Sequence, residues 1–436
     1  MIENYQQAEE FLAERTARLG MDFGLERIKR VLTRLDNPER SIPNIHIAGS
    51  NGKGSTLTYL KHILMAEGYR VGTFTSPYLE KLNEQLMINE EMISDGKLVE
   101  LLNDFLPIIH EAEQSGDYLT AFEITVILAF IHFRNEQPDV LIIEAGLGGR
   151  LDATNVIEPL MAIITSISLE HTNILGDTLD KIATEKAGII KKDISVINGV
   201  KAEEALRPIE KQAVNKNACL LTLGKDFKVS NQKQPKGQEV FTIEWQGNVL
   251  EDLQIGMLGD HQVENAALAV ISSLVLSKTY SFTVREESIR KGIASARWKG
   301  RFEIVSYNPL IILDGAHNVS GIQALLSTME DRYPNCNLHI LFAALKDKDY
   351  KSMIQMLEQK AASITFTEIP LERMNKAEIL AMNSHHPKKD VKKDWVEGFN
   401  GILTKMKDGD VLLVTGSLYF LAAIRPYILS KLSKKS

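Results

Sequence analysis

Apolar and polar positions along the chain repeat with two different periods. Near the start, Ile28, Val31, Leu32 and Leu35 recur at helical spacing and Asn37-Pro38 ends the run, so residues 1–42 read as helical. From Ile45 onward, short apolar runs alternate with amphipathic stretches. Ile45–Ala48, Val71–Phe74, Val140–Ile143, Met161–Thr165 and Ile194–Asn198 are predicted as buried strands. The segment after Ser55 is predicted as a helix with Leu57, Leu60 and Leu64 on one face. Such alternation favours right-handed βαβ units and a mostly parallel sheet. Glu239–Trp245 and Val249–Ile255 instead alternate residue by residue, which predicts a small antiparallel addition. After a predicted helix over Gln262–Leu276 the βα rhythm restarts, with Ile311–Leu313, Leu338–Ala343, Ser363–Thr367 and Val411–Val414 as strands. Two α/β domains are expected, over residues 1–297 and 298–436, divided near Trp298.

Composition narrows the setting. A chain of 436 residues exceeds one ordinary core of ~100–200 residues, and 44% apolar with 25% charged residues fits a globular protein. The net charge of −7 offers no global basic field, so no nucleic-acid partner is expected. Cys219 and Cys336 make neither a disulfide framework nor a zinc spacing. No basic segment followed by an apolar core opens the chain, and the longest apolar run, Ile124–Ile131, is far short of a membrane span. These features predict a cytoplasmic protein without a membrane partner. The Lys-rich tail Lys431–Ser436 reads as a solvated, frayed end.

The strongest local signal is Gly49-Ser50-Asn51-Gly52-Lys53-Gly54-Ser55-Thr56, placed after a buried strand and at the start of a helix. Glycines let the backbone turn its N–H groups inward, and the helix N-terminus adds partial positive charge. Lys53 can reach outer phosphates while the Ser55 or Thr56 hydroxyl binds Mg²⁺. The spacing departs from G-x-x-x-x-G-K-[ST], because Gly54 stands between Lys53 and Ser55. The competing account is a glycine-rich connection that only turns the chain; the strand-loop-helix setting and the lysine favour a P-loop. Glu144, ending the apolar run from Val140 and followed by Ala145-Gly146-Leu147-Gly148-Gly149, supplies the acidic residue such a site needs for its metal. On these residues alone, mechanical NTPases, phosphotransferases and enzymes that activate a small substrate with ATP stay open, although no guanine-reading Asn-Lys-x-Asp occurs.

Eight blocks in order close that gap. They are Gly49–Ser55, Thr75-Ser76-Pro77, Glu144–Asn155, His171–Gly176, Glu185–Ile190, Arg297–Arg301, Leu313–Asn318 and Thr415–Phe420. Over nearly the whole chain they resemble the folylpolyglutamate synthases, often bifunctional with dihydrofolate synthase, of the Mur ligase superfamily. The resemblance implies a P-loop domain followed by a Rossmann-like glutamate-ligase domain. It also implies a monomeric ATP-dependent amide ligase working through an acyl phosphate, with ATP, L-glutamate and a folate or dihydropteroate as its small-molecule partners.

The resemblance assigns roles residue by residue. Gly49, Asn51, Gly52, Lys53, Gly54, Ser55 and Thr56 would cradle ATP, with Asn265, Arg301 and Asp314 completing the nucleotide site. Ser76 and Glu144 would hold one Mg²⁺, and His171 with a carbamylated Lys186 a second. By themselves, Lys186 reads as a solvated helix lysine and His171 as a structural histidine; only the block match reverses this. Lys53, His171, Lys186 and His317 would serve catalysis, with His317 and Ser417 near the incoming glutamate. Asp152 and Ala153 match the dihydropteroate-binding form of their block, and Phe122 offers a stacking surface for the pterin, or else a core aromatic. Tyr78 replaces the family's His, Gln85 its Arg, Glu170 its Asp and Val319 its Pro, and residues 78–85 lie in the loop that touches the folate side in the family. A cell-wall ligase of the same superfamily would carry an N-terminal UDP-sugar domain, for which the 48 residues before Gly49 leave no room. A non-catalytic nucleotide switch would need no second domain bearing Asp314 and His317.

Overall fold

The computed structural model describes residues 1–20, 22–235 and 237–433. They form two compact units. The first takes Met1–Pro235, Val240–Gly256 and Val263–Ala296; the second takes Lys236–Glu239, Met257–Gln262 and Arg297–Ser436.

The first unit is built on eight strands, β1 (Asn44–Ala48), β2 (Val71–Phe74), β3 (Leu86–Ile88), β4 (Glu91–Met92), β5 (Val140–Glu144), β6 (Met161–Ile164), β7 (Ser195–Asn198) and β8 (Cys219–Thr222), in the order β4-β3-β2-β5-β1-β6-β7-β8. The six strands from β2 to β8 in that order run parallel. The hairpin β3–β4 is added antiparallel at one edge. Residues of β1, β2, β5, β6 and β7 are buried on both faces, which is why they read as continuous Val/Ile runs. Register decides where chemistry can sit. Ile47 pairs with Glu144, Ala48 with Ile164 and Phe74 with Ile143, so the loops after β1, β2, β5 and β6 leave from one carboxyl edge.

The apolar run Ile124–Ile131 lies in a helix, Ala121–Glu136, buried in the core and opened by a Thr120–Glu123 capping box. The helix Lys53–Glu67 buries Leu57, Thr58, Tyr59, Leu60, Ile63 and Leu64, so it is covered on more than the single face expected. Residues 1–42 hold two helices, Tyr5–Leu19 and Glu26–Arg34, and a turn at Pro38–Arg40, so the helical character is interrupted. The antiparallel addition has three strands, β9 (Phe227–Lys233), β10 (Glu239–Trp245) and β11 (Asn248–Ile255). β9 escapes a pattern search because it ends in the polar run Ser230-Asn231-Gln232-Lys233.

The second unit carries β12 (Glu303–Tyr307), β13 (Leu310–Asp314), β14 (Leu338–Phe342), β15 (Ala361–Glu368), β16 (Lys389–Asp394) and β17 (Val411–Thr415), in the order β12-β13-β17-β14-β15-β16. All neighbours are parallel except β12 against β13. Asp314 and Phe342 both pair with Thr415, which brings the ends of β13, β14 and β17 level. The tail expectation needs correction: Lys431–Ser433 close the helix Leu418–Ser433, and the Lys431 ammonium bonds Asn400 Oδ1 and sits 5.8 Å over the rings of Phe399 and Tyr427. Residues 434–436 of that tail lie outside the described residues. Among the described residues no helix is long and apolar enough to cross a membrane.

Candidate active site

The phosphate loop leaves β1 and is fixed by the loop after β6. Ser50 N–H donates to Ser166 O (2.8 Å), Asn51 N–H to Ser166 Oγ (3.0 Å), and Thr165 Oγ1 to Asn51 O (2.7 Å). A Cβ on Gly49 would fall 1.9 Å from Thr165 Oγ1, so this contact requires glycine. Sequence reasoning missed Thr165, Ser166 and Ser168 as partners of the loop. The available signal was a hydroxyl cluster directly after a buried strand. Gly52, at φ 87°, caps the helix Lys53–Glu67, and Asn265 from the helix Asp260–Thr279 closes over it, with Thr56 Oγ1 donating to Asn265 Oδ1 at 3.4 Å. Ser55 and Thr56 are buried at the first turn.

Around Glu144 three expected residues meet. Lys53 Nζ donates to Gly49 O at 2.9 Å and stands 3.9 Å from Glu144 Oε1, while Ser76 N–H approaches Glu144 Oε2 at 3.4 Å. Ser76 Oγ is buried and has no hydrogen-bond partner among the described residues. A hydroxyl oxygen and a carboxylate, both hard donors at one edge, suit Mg²⁺. His171, in left-handed conformation (φ 45°), opens the short helix Thr172–Leu175. Lys186 is not the solvated lysine that its sequence suggested: its ammonium is buried and donates to Glu170 Oε1 at 2.8 Å. Burial pulls Glu170 upward, but the nearby Lys186 and Lys53 charges outweigh it and hold the carboxyl at about 2. Burial also pushes the Lys186 ammonium below the ordinary lysine range, against the opposing pull of Glu170. Among the described residues no group of three or more His, Cys, Asp or Glu is arranged for a metal ion.

The residues expected at the folate side are held from within. Asp152 is buried, with Leu147 N–H donating to Oδ2 (2.8 Å) and Thr154 N–H to Oδ1 (3.0 Å). Ala153 opens the turn Ala153–Val156. Phe122 is half-buried; it packs 6.0 Å from Phe74, and its Cζ lies 2.6 Å from where a Cβ on Gly146 would stand. It therefore belongs to the core margin and lies against the loop that follows Glu144.

In the second unit Asp314 ends β13 and accepts from Phe302 N–H (2.7 Å) and Ala316 N–H (2.8 Å), which ties the Gly300–Phe302 segment carrying Arg301 to the strand end. Burial pushes the Asp314 carboxyl up, with Arg301 opposing. His317 donates Nδ1–H to Gly315 O (2.8 Å), so the neutral ring carries its lone pair on Nε2. Ser417 Oγ is buried without a hydrogen-bond partner among the described residues. Lys348, after β14 at the same end of the sheet, is a nearly buried ammonium (9% exposed) that the sequence reasoning passed over; two acid–lysine pairs in Lys346-Asp347-Lys348-Asp349 were its only signal.

Residues 47–273 match the Mur ligase middle domain and residues 300–418 the Mur ligase glutamate ligase domain. The chain is 38% identical over 427 residues to the dihydrofolate synthase/folylpolyglutamate synthase of Bacillus subtilis, covering 98% of this chain and 99% of that one. It belongs to the folylpolyglutamate synthase family of Mur ligases. As a Mur ligase it is an ATP-dependent ligase. The Mycobacterium tuberculosis folylpolyglutamate synthase complexed with ADP superposes with a TM-score of 0.91 at 28% identity, covering 97% of this ligase and 98% of that chain. Escherichia coli FolC in complex with DHPP and ADP gives 0.88 at 30%, covering 97% and 98%. A folylpolyglutamate synthase–AMPPCP–folate complex gives 0.85 at 31%, covering 98% and all of that chain. The α/β architecture of this ligase is the one those structures share.

Proposed function

We propose that the chain joins the amine of L-glutamate to the γ-carboxylate of reduced folates, and to dihydropteroate as well, with ATP cleaved to ADP and phosphate. The substrate carboxylate attacks the γ-phosphorus of ATP, ADP leaves, and the glutamate amine then displaces phosphate from the acyl phosphate. The observation that carries this reading is the convergence of Lys53, Ser76 and Glu144 at one strand edge, in a chain whose relatives carry the same activity in their names.

Transfer of a phosphoryl group is mostly positioning and charge neutralisation. Lys53 and the N–H groups of Gly49–Thr56 are assigned to the ATP phosphates, and Asn265, Arg301 and Asp314 to the rest of the nucleotide. Ser76 and Glu144 would hold one Mg²⁺; His171 and Lys186 would hold a second once Lys186 is a carbamate, since an ammonium offers no lone pair. Bound there, the ions would neutralise charge on the phosphate oxygens. Burial that weakens the hold of Lys186 on its proton favours the free amine which adds CO₂. In this reading residues 1–297 form the ATP-binding domain and residues 298–436 the glutamate-ligase domain, with His317 and Ser417 at the amino acid and Lys348 as a cation for its carboxylates. Phe122, Asp152 and Ala153 are assigned to the pterin side. The two free cysteines fit a reducing, cytoplasmic setting.

The deciding experiment measures ADP release with dihydropteroate or tetrahydrofolate, each with and without glutamate. Glutamate-dependent release with both is expected; release with neither would overturn the substrate assignment.

A further inference from the structure

β1 is an apolar strand in the middle of the large sheet, yet it contains one imidazole. His46 is fully buried between Ile45 and Ile47 and pairs in register with Ile143 and Ala162. Its Nδ1 has no hydrogen-bond partner among the described residues. A buried acceptor without a donor carries an uncompensated desolvation cost, which an isoleucine at this position would avoid. The other nitrogen makes the compensating contact: Nε2 lies 2.9 Å from Thr154 Oγ1.

The direction of that bond follows from the next one. Thr154 Oγ1 donates its only hydrogen to Asp152 Oδ1, and Thr154 N–H donates to the same oxygen. With the Asp152 carboxyl ionised, the hydroxyl accepts from His46 and the imidazole is the Nε2–H tautomer. Burial keeps the ring neutral, with its protonation pushed down to about 3. Asp152 in turn holds Leu147 N–H through Oδ2. The loop between them has no slack. Arg150 N–H donates to Glu185 O, and a Cβ on Gly149 would come within 2.9 Å of Lys186 O. A rotation of Asp152 would thus be felt along the backbone from Gly146 to Asp152.

We propose that His46 is a positioning residue for the pterin-bearing substrate: acting through Thr154, it fixes the orientation of Asp152 and the backbone of the Gly146–Asp152 loop. This deepens the proposed function and rests on its placement of Asp152 at the folate side.

Two measurements on His46→Leu, His46→Gln, Thr154→Val and Thr154→Ser test it. In steady-state kinetics, His46→Leu and Thr154→Val raise KM for the folate substrate at least ten-fold, with kcat and KM for ATP changed less than two-fold. His46→Gln, which keeps an N–H donor, and Thr154→Ser recover most of the loss, and the His46→Leu/Thr154→Val double variant is no worse than either single one. In hydrogen exchange without any substrate, residues 146–152 exchange faster in His46→Leu and Thr154→Val than in the parent chain. Unchanged folate KM in variants that fold, or an equal rise in KM for ATP, would overturn the assignment. Should the parent chain turn over no folate, the substrate reading falls, and the exchange measurement alone decides whether His46 holds the loop. Should His46→Leu not fold, Thr154→Val carries both tests.

Discussion

The side-chain oxygen of Asn265 stands 2.2 Å from the point that a Cβ on Gly52 would occupy. Gly52 itself lies at φ 87°, a conformation that costs other residues about 1–2 kcal/mol. Two independent constraints therefore act on one glycine of the phosphate loop. Gly52→Ala is expected to weaken ATP binding at least ten-fold in a fluorescent-nucleotide titration. Adding Asn265→Ala relieves the steric part but removes a residue assigned to the nucleotide and leaves the conformational part, so the double variant still binds ATP below the parent. Parent-like ATP affinity in Gly52→Ala would refute this account of the loop.

Glu170 and Lys186 form an ion pair in which both side chains are nearly inaccessible, at 6% and 2% exposure. Removing one partner strands a buried charge, typically at ~3–5 kcal/mol, whereas removing both can be neutral. Lys186→Met should lower the urea midpoint strongly, and Lys186→Met/Glu170→Leu should restore most of it. ADP release should be lost in both variants, because neither retains a lysine to carbamylate. Activity recovered along with stability in the double variant would show that Lys186 serves the fold alone.

Strands of the central sheet were legible because burial on both faces leaves unbroken aliphatic runs: Val71–Phe74 coincides with β2, and Met161 begins β6 as expected. β16 was not, because Lys389-Asp-Val-Lys-Lys-Asp394 is an edge strand whose charges discourage further pairing and erase the apolar signal. The phosphate loop and Glu144 could be found from local pattern, since each follows its own strand. Their partners could not. Thr165 and Ser166 reach Asn51 across more than a hundred residues, and Lys186, on the helix Leu179–Ala187, finds Glu170 only because the loop before that helix folds back onto it. The sequence likewise gave no hint that Asp152, expected at the substrate, spends its hydrogen-bonding capacity on its own loop.

The segment Thr75–Gln85, which carries the departures Tyr78 and Gln85, is latched to the first helix. Tyr5 Oη accepts from Leu82 N–H (3.1 Å) and donates to Glu9 (2.8 Å), while Lys81 lies 5.1 Å over the Tyr5 ring. Within the loop, Glu84 accepts from Leu79 N–H at 2.7 Å. Tyr5→Phe keeps the ring and removes the acceptor, so hydrogen exchange at Leu82 should accelerate. If this loop faces the folate, KM for that substrate should rise about three-fold, in line with the loss of one hydrogen bond of ~0.5–1.5 kcal/mol, at unchanged KM for ATP. Slow exchange at Leu82 in the variant would place the anchor elsewhere.

His46 also sets a pH dependence whose sign can be worked out. Desolvation first, and the Lys191 charge second, lower its protonation from 6.5 to about 3 in the folded chain. Between those values the unfolded chain binds a proton that the folded chain does not, so stability is complete above pH 6.5 and falls as the pH drops towards 3. Each pH unit in that window removes about 1.4 kcal/mol for this group. His132, also lowered by burial, acts in the same direction, and Glu170 joins below its ordinary carboxylate range. Comparing the parent with His46→Gln isolates the one imidazole, because all other groups are common to both. Urea midpoints measured from pH 7.5 to 5 should fall more steeply for the parent than for His46→Gln, and the two curves should converge as the pH drops. Parallel curves across that range would mean that His46 is protonated at its ordinary value and that burial does not desolvate its ring.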